Sequence, residues 1–491
     1  MITASIHASS APIQRTPSAE ITSADTGSRG PLLLLVCSAA KWLVISGVFA
    51  LITSIQLFKP AFLADCPWLT HGRAEAMRES IFIYGWGANA GLAVALWVLA
   101  RLGGSPLRAG NWVMVGTVFW NLGLLAGLVG IATGDATSIS FLELPRYVQP
   151  LMLVAYGAMA VAGVLAWAGR RTEGTFASQW YAVAALFLFP WIFSVAQVML
   201  LFAPVRGVLQ AIVTGWYVQG AWTLWLAPLA LSGAYYLVPK ITGRAIPSYF
   251  FWTALSFWTL VVVGAWTGGR HLVGGPVPAW VPSVAIVSCS LLLFHYFMVF
   301  LNLRGAFGGG GTALKFVSFG LVAYVLGGFT DAVTSMRAVA KITQFTQFAI
   351  AQQQLALLGA VSMMLFGALY YLVPRVSGRA WASAALVRGH FFLTALGIVV
   401  LVVSLVTAGW IQGHALNETA MVDGKPVLLS FAEISTRIQT PLMIATAAHG
   451  ILLLGALMFA VNFLRTSFAR AGTIPAADLL RPTTTMEAPA L

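Results

Sequence analysis

Seven histidines, a run of glutamines and a few charges at predicted helix ends are the side chains in this sequence that could carry chemistry. The imidazoles are His7, His71, His271, His295, His390, His414 and His449. No two share a helix face at metal-ligand spacing, and copper asks for two or three imidazoles. Heme iron in a bundle asks for imidazoles or thioethers facing inward from neighbouring helices. Spacing alone yields no metal site, and a lone histidine in an apolar helix reads first as a hydrogen-bonded packing residue. The amides Gln352, Gln353 and Gln354 are adjacent at one end of a long apolar run. Consecutive helical residues point about 100° apart, so at least one of the three faces protein rather than lipid. Arg78, Arg270, Asp331 and Arg337 fall at or near predicted helix ends, where charge reaches water at little cost.

The elements that must position these residues are long and apolar. The chain has 491 residues, 59% hydrophobic and 8% charged, too few charges to cover a water-facing surface of that size. Apolar runs near the length needed to cross a bilayer, about 20 residues, recur roughly twelve times. They are predicted at about 33–57, 80–100, 110–132, 148–168, 179–203, 207–238, 250–268, 280–302, 314–335, 346–373, 389–411 and 438–464. This is an all-α, polytopic membrane chain: one membrane domain over 31–467, a disordered tail over 1–30 and a C-terminal tail over 468–491. The net charge of +13 does not mean nucleic acid, because the basic residues punctuate helix ends instead of clustering on one element.

One stretch is written twice. Tyr235-Tyr236-Leu237-Val238-Pro239-Lys240-Ile241-Thr242-Gly243-Arg244-Ala245 matches Tyr370 through Ala380 almost letter for letter, 135 residues later. The same offset carries Gln354 onto Gln219. Two helices therefore hold an amide at one height and share a proline-then-basic exit, which suits a helix end at the lipid headgroups. A repeated helix unit around a common interior follows.

An even number of spans puts both termini on one side. With the termini in the cytoplasm, about 16 basic residues lie inside and about 10 outside, the bias of a cytoplasmic-membrane protein. Cys37, Cys66 and Cys289 have no metal spacing and read as packing residues. The loop 412–437, with Asn417, Glu418, Asp423, Lys425 and Glu433, is a solvated loop that could dock a partner.

The chain resembles the heme-copper oxidase superfamily, specifically the catalytic membrane subunit of cbb3-type cytochrome c oxidases. The resemblance runs over about 33–465 and shows in Pro67-Trp68-Leu69-Thr70-His71-Gly72-Arg73, Gly87-Ala88-Asn89-Ala90, Trp216-Tyr217, Tyr235 to Lys240, Gly359 to Arg375, and His390-Phe391. It implies a twelve-helix subunit with two hemes and one copper. The family's low-spin heme histidines fall on Arg78 and Gln354, and its proximal histidine for the high-spin heme falls on Gln352. Its copper histidines fall on Gln219, Arg270 and His271. Five of six ligands are replaced. The family's active-site tyrosine corresponds to Tyr324, whose cross-linking histidine is gone, and its glutamate corresponds to Thr330 beside Asp331.

Glutamine is a poor donor to these metals, and arginine has no lone pair to give at pH 7. The expectation is therefore no heme and no metal in this chain. Empty heme cavities would cost roughly 24 cal/mol per Å³, so Arg78, Arg270 and the glutamines are expected to fill the space and hydrogen-bond to one another. The function expected is a non-catalytic membrane anchor or assembly partner among membrane lipid and respiratory subunits, including ones carrying c-type heme. Two other readings stay open. One is a working oxidase with unusual ligation through His271 and Tyr324. The other is a proton or solute transporter lined by Gln219, Gln352, Gln354 and Asp331.

Overall fold

The computed structural model describes residues 18–171, 174–248, 250–422 and 425–468. The fold is a bundle of helices with one small hairpin, Thr419–Val422 against Lys425–Leu428. Among the described residues, eleven helices are long and apolar enough to cross a membrane. The twelfth run, expected at 250–268, forms the shorter helix Phe251–Val263. At 1.5 Å per residue this spans only about 20 Å of a ~30 Å hydrocarbon layer. The chain breaks there because Thr267–Leu272 is a tight 3₁₀ turn, and that turn is what carries Arg270 and His271.

Three helices are enclosed on nearly every side. His71–Gly103, Val208–Thr242 and Gln347–Ser377 have 94%, 94% and 89% of their apolar windows buried, against 28–50% for the other eight. Helices apolar around their whole circumference belong at the centre of a bundle. Each of these three inner helices contains one π-helical segment: Ile81–Gly87, Ala221–Leu226 and Leu355–Ser362. Such segments are rare, short departures from α geometry and often mark functional positions. In the first and third of these helices it divides a polar first half from an apolar second half; in the second, Val208–Gly220 is itself largely apolar.

The second halves pack closely because small residues let the backbones approach. A Cβ on Gly233 would stand 2.9 Å from Val94 Cγ1 and 3.0 Å from Ala368 Cβ, so this one glycine sits where all three inner helices touch. Their ends are alike. Gly104, Gly243 and Gly378 terminate them with φ of 67°, 68° and 66°, a left-handed conformation that favours glycine. Three residues before each glycine stands a cation, Arg101, Lys240 or Arg375. Four residues before each cation stands an aromatic, Trp97, Tyr236 or Tyr371. The three rings close a triangle, with centroids 4.9, 5.9 and 6.1 Å apart and every pair edge-to-face. The sequence repeat is thus threefold. Its first copy, Trp97-Val98-Leu99-Ala100-Arg101, shares too few letters with the others to be seen.

The expected tail over 1–30 also differs in part. Ser18–Gly27 is helical, and the chain beyond it is tied down. Asp25 accepts from Trp97 Nε1 at 3.0 Å and pairs with Arg101, while Ser28 Oγ accepts the Leu107 N–H at 2.9 Å.

Candidate functional site

The positions onto which the resemblance places the family's metal ligands all lie in the first halves of the inner helices or in the Thr267–Leu272 turn. They do not form one network. Three of them, Arg78, Arg270 and Gln352, enter two separate networks, each built around carboxylates.

The first network surrounds Arg78. Its guanidinium grips Glu75 with two parallel bonds, Nε to Oε2 at 2.8 Å and Nη2 to Oε1 at 2.5 Å, and reaches Glu79 at 3.4 Å. This bidentate geometry is what a planar guanidinium offers a carboxylate. Glu79 also accepts from Gln353 Nε2 at 3.0 Å. Beside it lies Glu143, on the connection after the third apolar helix and buried. Glu143 accepts from the Phe141 N–H at 2.8 Å and from Ser80 Oγ at 3.3 Å. Burial, then the neighbouring Glu79 carboxylate, pushes the Glu143 carboxyl well above its ordinary value, so it holds a proton that it would otherwise lose.

The second network surrounds Asp331. Arg270 Nη1 pairs with Asp331 Oδ2 at 2.9 Å, and Gln352 Nε2 donates to Asp331 Oδ1 at 3.3 Å and to Thr334 Oγ1 at 2.9 Å. Thr330 turns its hydroxyl onto the Gly327 carbonyl. Although burial works against the charge, Asp331 holds the Arg270 guanidinium above its ordinary value. His271 lies beside it with its ring against Gly215, where a Cβ would fall 2.2 Å from Cε1. Burial, then Arg270, lowers the His271 imidazole, leaving it neutral. Gln219 is half-buried, and its backbone carbonyl accepts from Thr223.

These contacts correct one expectation. The arginines do not pair with the glutamines; carboxylates hold Arg78 and Arg270 and accept from Gln352 and Gln353. The reason is elementary: a buried guanidinium needs a counter-charge, which an amide does not supply.

Tyr324 does have a histidine partner. His295 Nε2 stands 2.9 Å from the Tyr324 hydroxyl, and His295 Nδ1 stands 2.9 Å from the Ser256 carbonyl. The bonded carbonyl makes Nδ1 the donor, so the tyrosine donates to Nε2. Sequence reading passed over this pair because His295 and Tyr324 sit on different helices with no motif linking them.

The space around Arg78 is not completely filled, against the expectation. Two contiguous cavities of about 60 and 280 Å³ share Ala50, Arg78, Gln354 and His449 as walls. His390 lines the smaller one and His71 the larger. His390 and His449 each have Nδ1 engaged, His390 with Tyr370 Oη at 2.8 Å and His449 with the Ala445 carbonyl at 2.9 Å. They do not make an iron site together. His390 packs level with Gly455, six residues and about 9 Å along the helix from His449. Two nitrogens on one metal stand about 4 Å apart. Arginine has no lone pair to give and a glutamine amide is a poor donor to iron or copper, so the side chains at five of the six positions do not suit two hemes and a copper.

Comparison with known proteins gives a consistent fold. The family described as Cytochrome C and Quinol oxidase polypeptide I matches residues 31–451. The chain is 26% identical over 438 residues to the Cbb3-type cytochrome c oxidase subunit CcoN1 of Stutzerimonas stutzeri, covering 87% of this chain and 92% of that one. It is 27% identical over 455 residues to a cytochrome c oxidase subunit 1 homolog of Agrobacterium tumefaciens, covering 88% and 82%. A solved heme-copper terminal oxidase dimer superposes with a TM-score of 0.69 at 13% identity, covering 97% of this chain and 88% of that one.

Proposed function

Because the chain belongs to the Cytochrome C and Quinol oxidase polypeptide I family, and the donors at its ligand positions do not suit that family's metals, we propose that it is a non-catalytic subunit I. It is a multi-pass bacterial inner-membrane protein. Members of the family work within multi-subunit respiratory complexes. In this reading the chain keeps the scaffold and the docking surfaces and has given up oxygen chemistry. It anchors or assembles respiratory subunits, including c-type cytochromes, with both termini in the cytoplasm.

One observation carries the proposal. Arg270 stands where a copper imidazole belongs, and its counter-ion, Asp331, also binds Gln352, which stands at an iron position. A cation and an amide locked to one carboxylate occupy both halves of the former metal pair. With the imidazoles at these positions replaced by a guanidinium and an amide, and the neighbouring carboxylate already engaged by both, no free lone-pair donor is left for a metal cation.

The test is purification in mild detergent, identification of the companions, and a reduced-minus-oxidised spectrum of the isolated chain. Co-purifying respiratory subunits beside a spectrum free of b-type heme support the proposal. Stoichiometric b-type heme in the chain itself overturns it.

A further inference from the structure

The cations that end the three inner helices have no part in the former metal site. Arg101, Lys240 and Arg375 rise from one floor, the triangle of Trp97, Tyr236 and Tyr371. The Arg375 guanidinium lies 3.3 Å from the Tyr371 ring centroid and donates to the Tyr371 carbonyl at 2.9 Å. The Arg101 guanidinium lies 6.0 Å from the Trp97 centroid. Arg101 and Arg375 are both within electrostatic reach of the Lys240 ammonium. A last-turn cation is accounted for by its own helix dipole. That effect does not require three of them to converge on the bundle axis, where like charges repel.

The carboxylate that meets them is Asp25, brought in by the helix Ser18–Gly27. Its side chain is 8% exposed and that of its partner Arg101 is 10% exposed. Asp25 engages Arg101 and Trp97, leaving the cations of the other two helices without a carboxylate bond among the described residues. Lys240 remains exposed, so the site is open to solvent on that side.

We propose that Arg101, Lys240 and Arg375 form a binding site for a phosphate-type oxyanion at the glycine-capped end of the bundle, with Asp25 as a built-in competitor for it. Arginine forks and a lysine point charge over aromatic rings are suited to a tetrahedral oxyanion. The phosphate belongs either to a free anion or to an anionic lipid headgroup.

The test uses the full chain in a nonionic detergent. Thermal unfolding is followed against inorganic phosphate, with ionic strength held constant by chloride, and separately against short-chain phosphatidylglycerol. A saturable rise in Tm is expected for one probe. Saturation by phosphate assigns a free anion, and saturation by the lipid alone assigns a headgroup. Lys240→Gln and Arg375→Gln should each weaken the response about tenfold, and Asp25→Asn should strengthen it by a similar factor, as one charge among several close ones would. The Asp25→Asn gain separates a binding site from a structural ion pair, whose loss would only lower Tm. No saturable shift with either probe, an unchanged response in Lys240→Gln and Arg375→Gln, or weaker binding in Asp25→Asn would each overturn the proposal. If Arg375→Gln does not fold, Lys240→Gln, at an exposed position, decides alone.

Discussion

The two halves of the inner helices, on either side of their π segments, follow opposite rules. The second halves are dry and close, with glycines at the crossings and three aromatic rings in mutual contact. The first halves hold four of the replaced positions, carboxylates from three parts of the chain, and two cavities. A scaffold whose packing is set by one half can let the other change its chemistry completely. On the function proposed above, this is how the family fold would persist with other side chains at the ligand positions.

The contrast can be broken most forcefully at Gly233. Leucine there would have to displace Val94 and Ala368 together, an overpacking of about 3 kcal/mol or more. The expected outcome is loss of the monodisperse peak in size-exclusion chromatography. Gln354→Leu, on the cavity wall of the other half, is expected to stay within about 1 kcal/mol of the parent. Equal damage from both would erase the distinction between the halves.

Asp331→Ala comes next. It strands Arg270, whose side chain is 23% exposed, at a cost of about 2 kcal/mol after allowing for that exposure. Adding Arg270→Leu should recover most of the loss, because no buried charge is then left alone. Thermal unfolding of the two single variants and the double variant measures the coupling. An additive double variant would mean that the pair does not hold the site together.

The smallest effect is a slope with pH. Glu143 has a raised value when folded, so its stabilising contribution is complete below the unfolded value near 4.3 and is lost as pH rises toward the folded one. Glu143→Gln should flatten the fall in stability between pH 5 and 8. His271 has the opposite sign: with its folded value lowered, it lets stability fall as pH drops below about 6.5. A Glu143→Gln profile parallel to the parent would show that the carboxyl is not held protonated.

Much of this was legible in the sequence, unevenly. Hydrophobic run length gave the bundle, and the Tyr235 and Tyr370 stretches gave two of the three inner helices. The third copy was hidden because packing preserves ring size and spacing, not letters: Trp97 does the work of a tyrosine, and Arg101 follows a leucine-alanine turn instead of a proline. The identities at Arg78, Gln219, Arg270, Gln352 and Gln354 were plain, but their partners were not. Asp331 read as a charge at a helix end with access to water, whereas Asp331, Glu75 and Glu143 each meet a side chain of another residue in the structure. The His295–Tyr324 bond was invisible for the same reason, since contacts between helices leave no local pattern.

Metal and heme content of the purified chain tests the central claim most directly. Iron and copper far below one atom per chain, with no pyridine-hemochrome signal, is the result expected from a site held by Arg270, Asp331 and Gln352. Iron near one or two atoms per chain with a b-type heme spectrum, or copper near one, would contradict it.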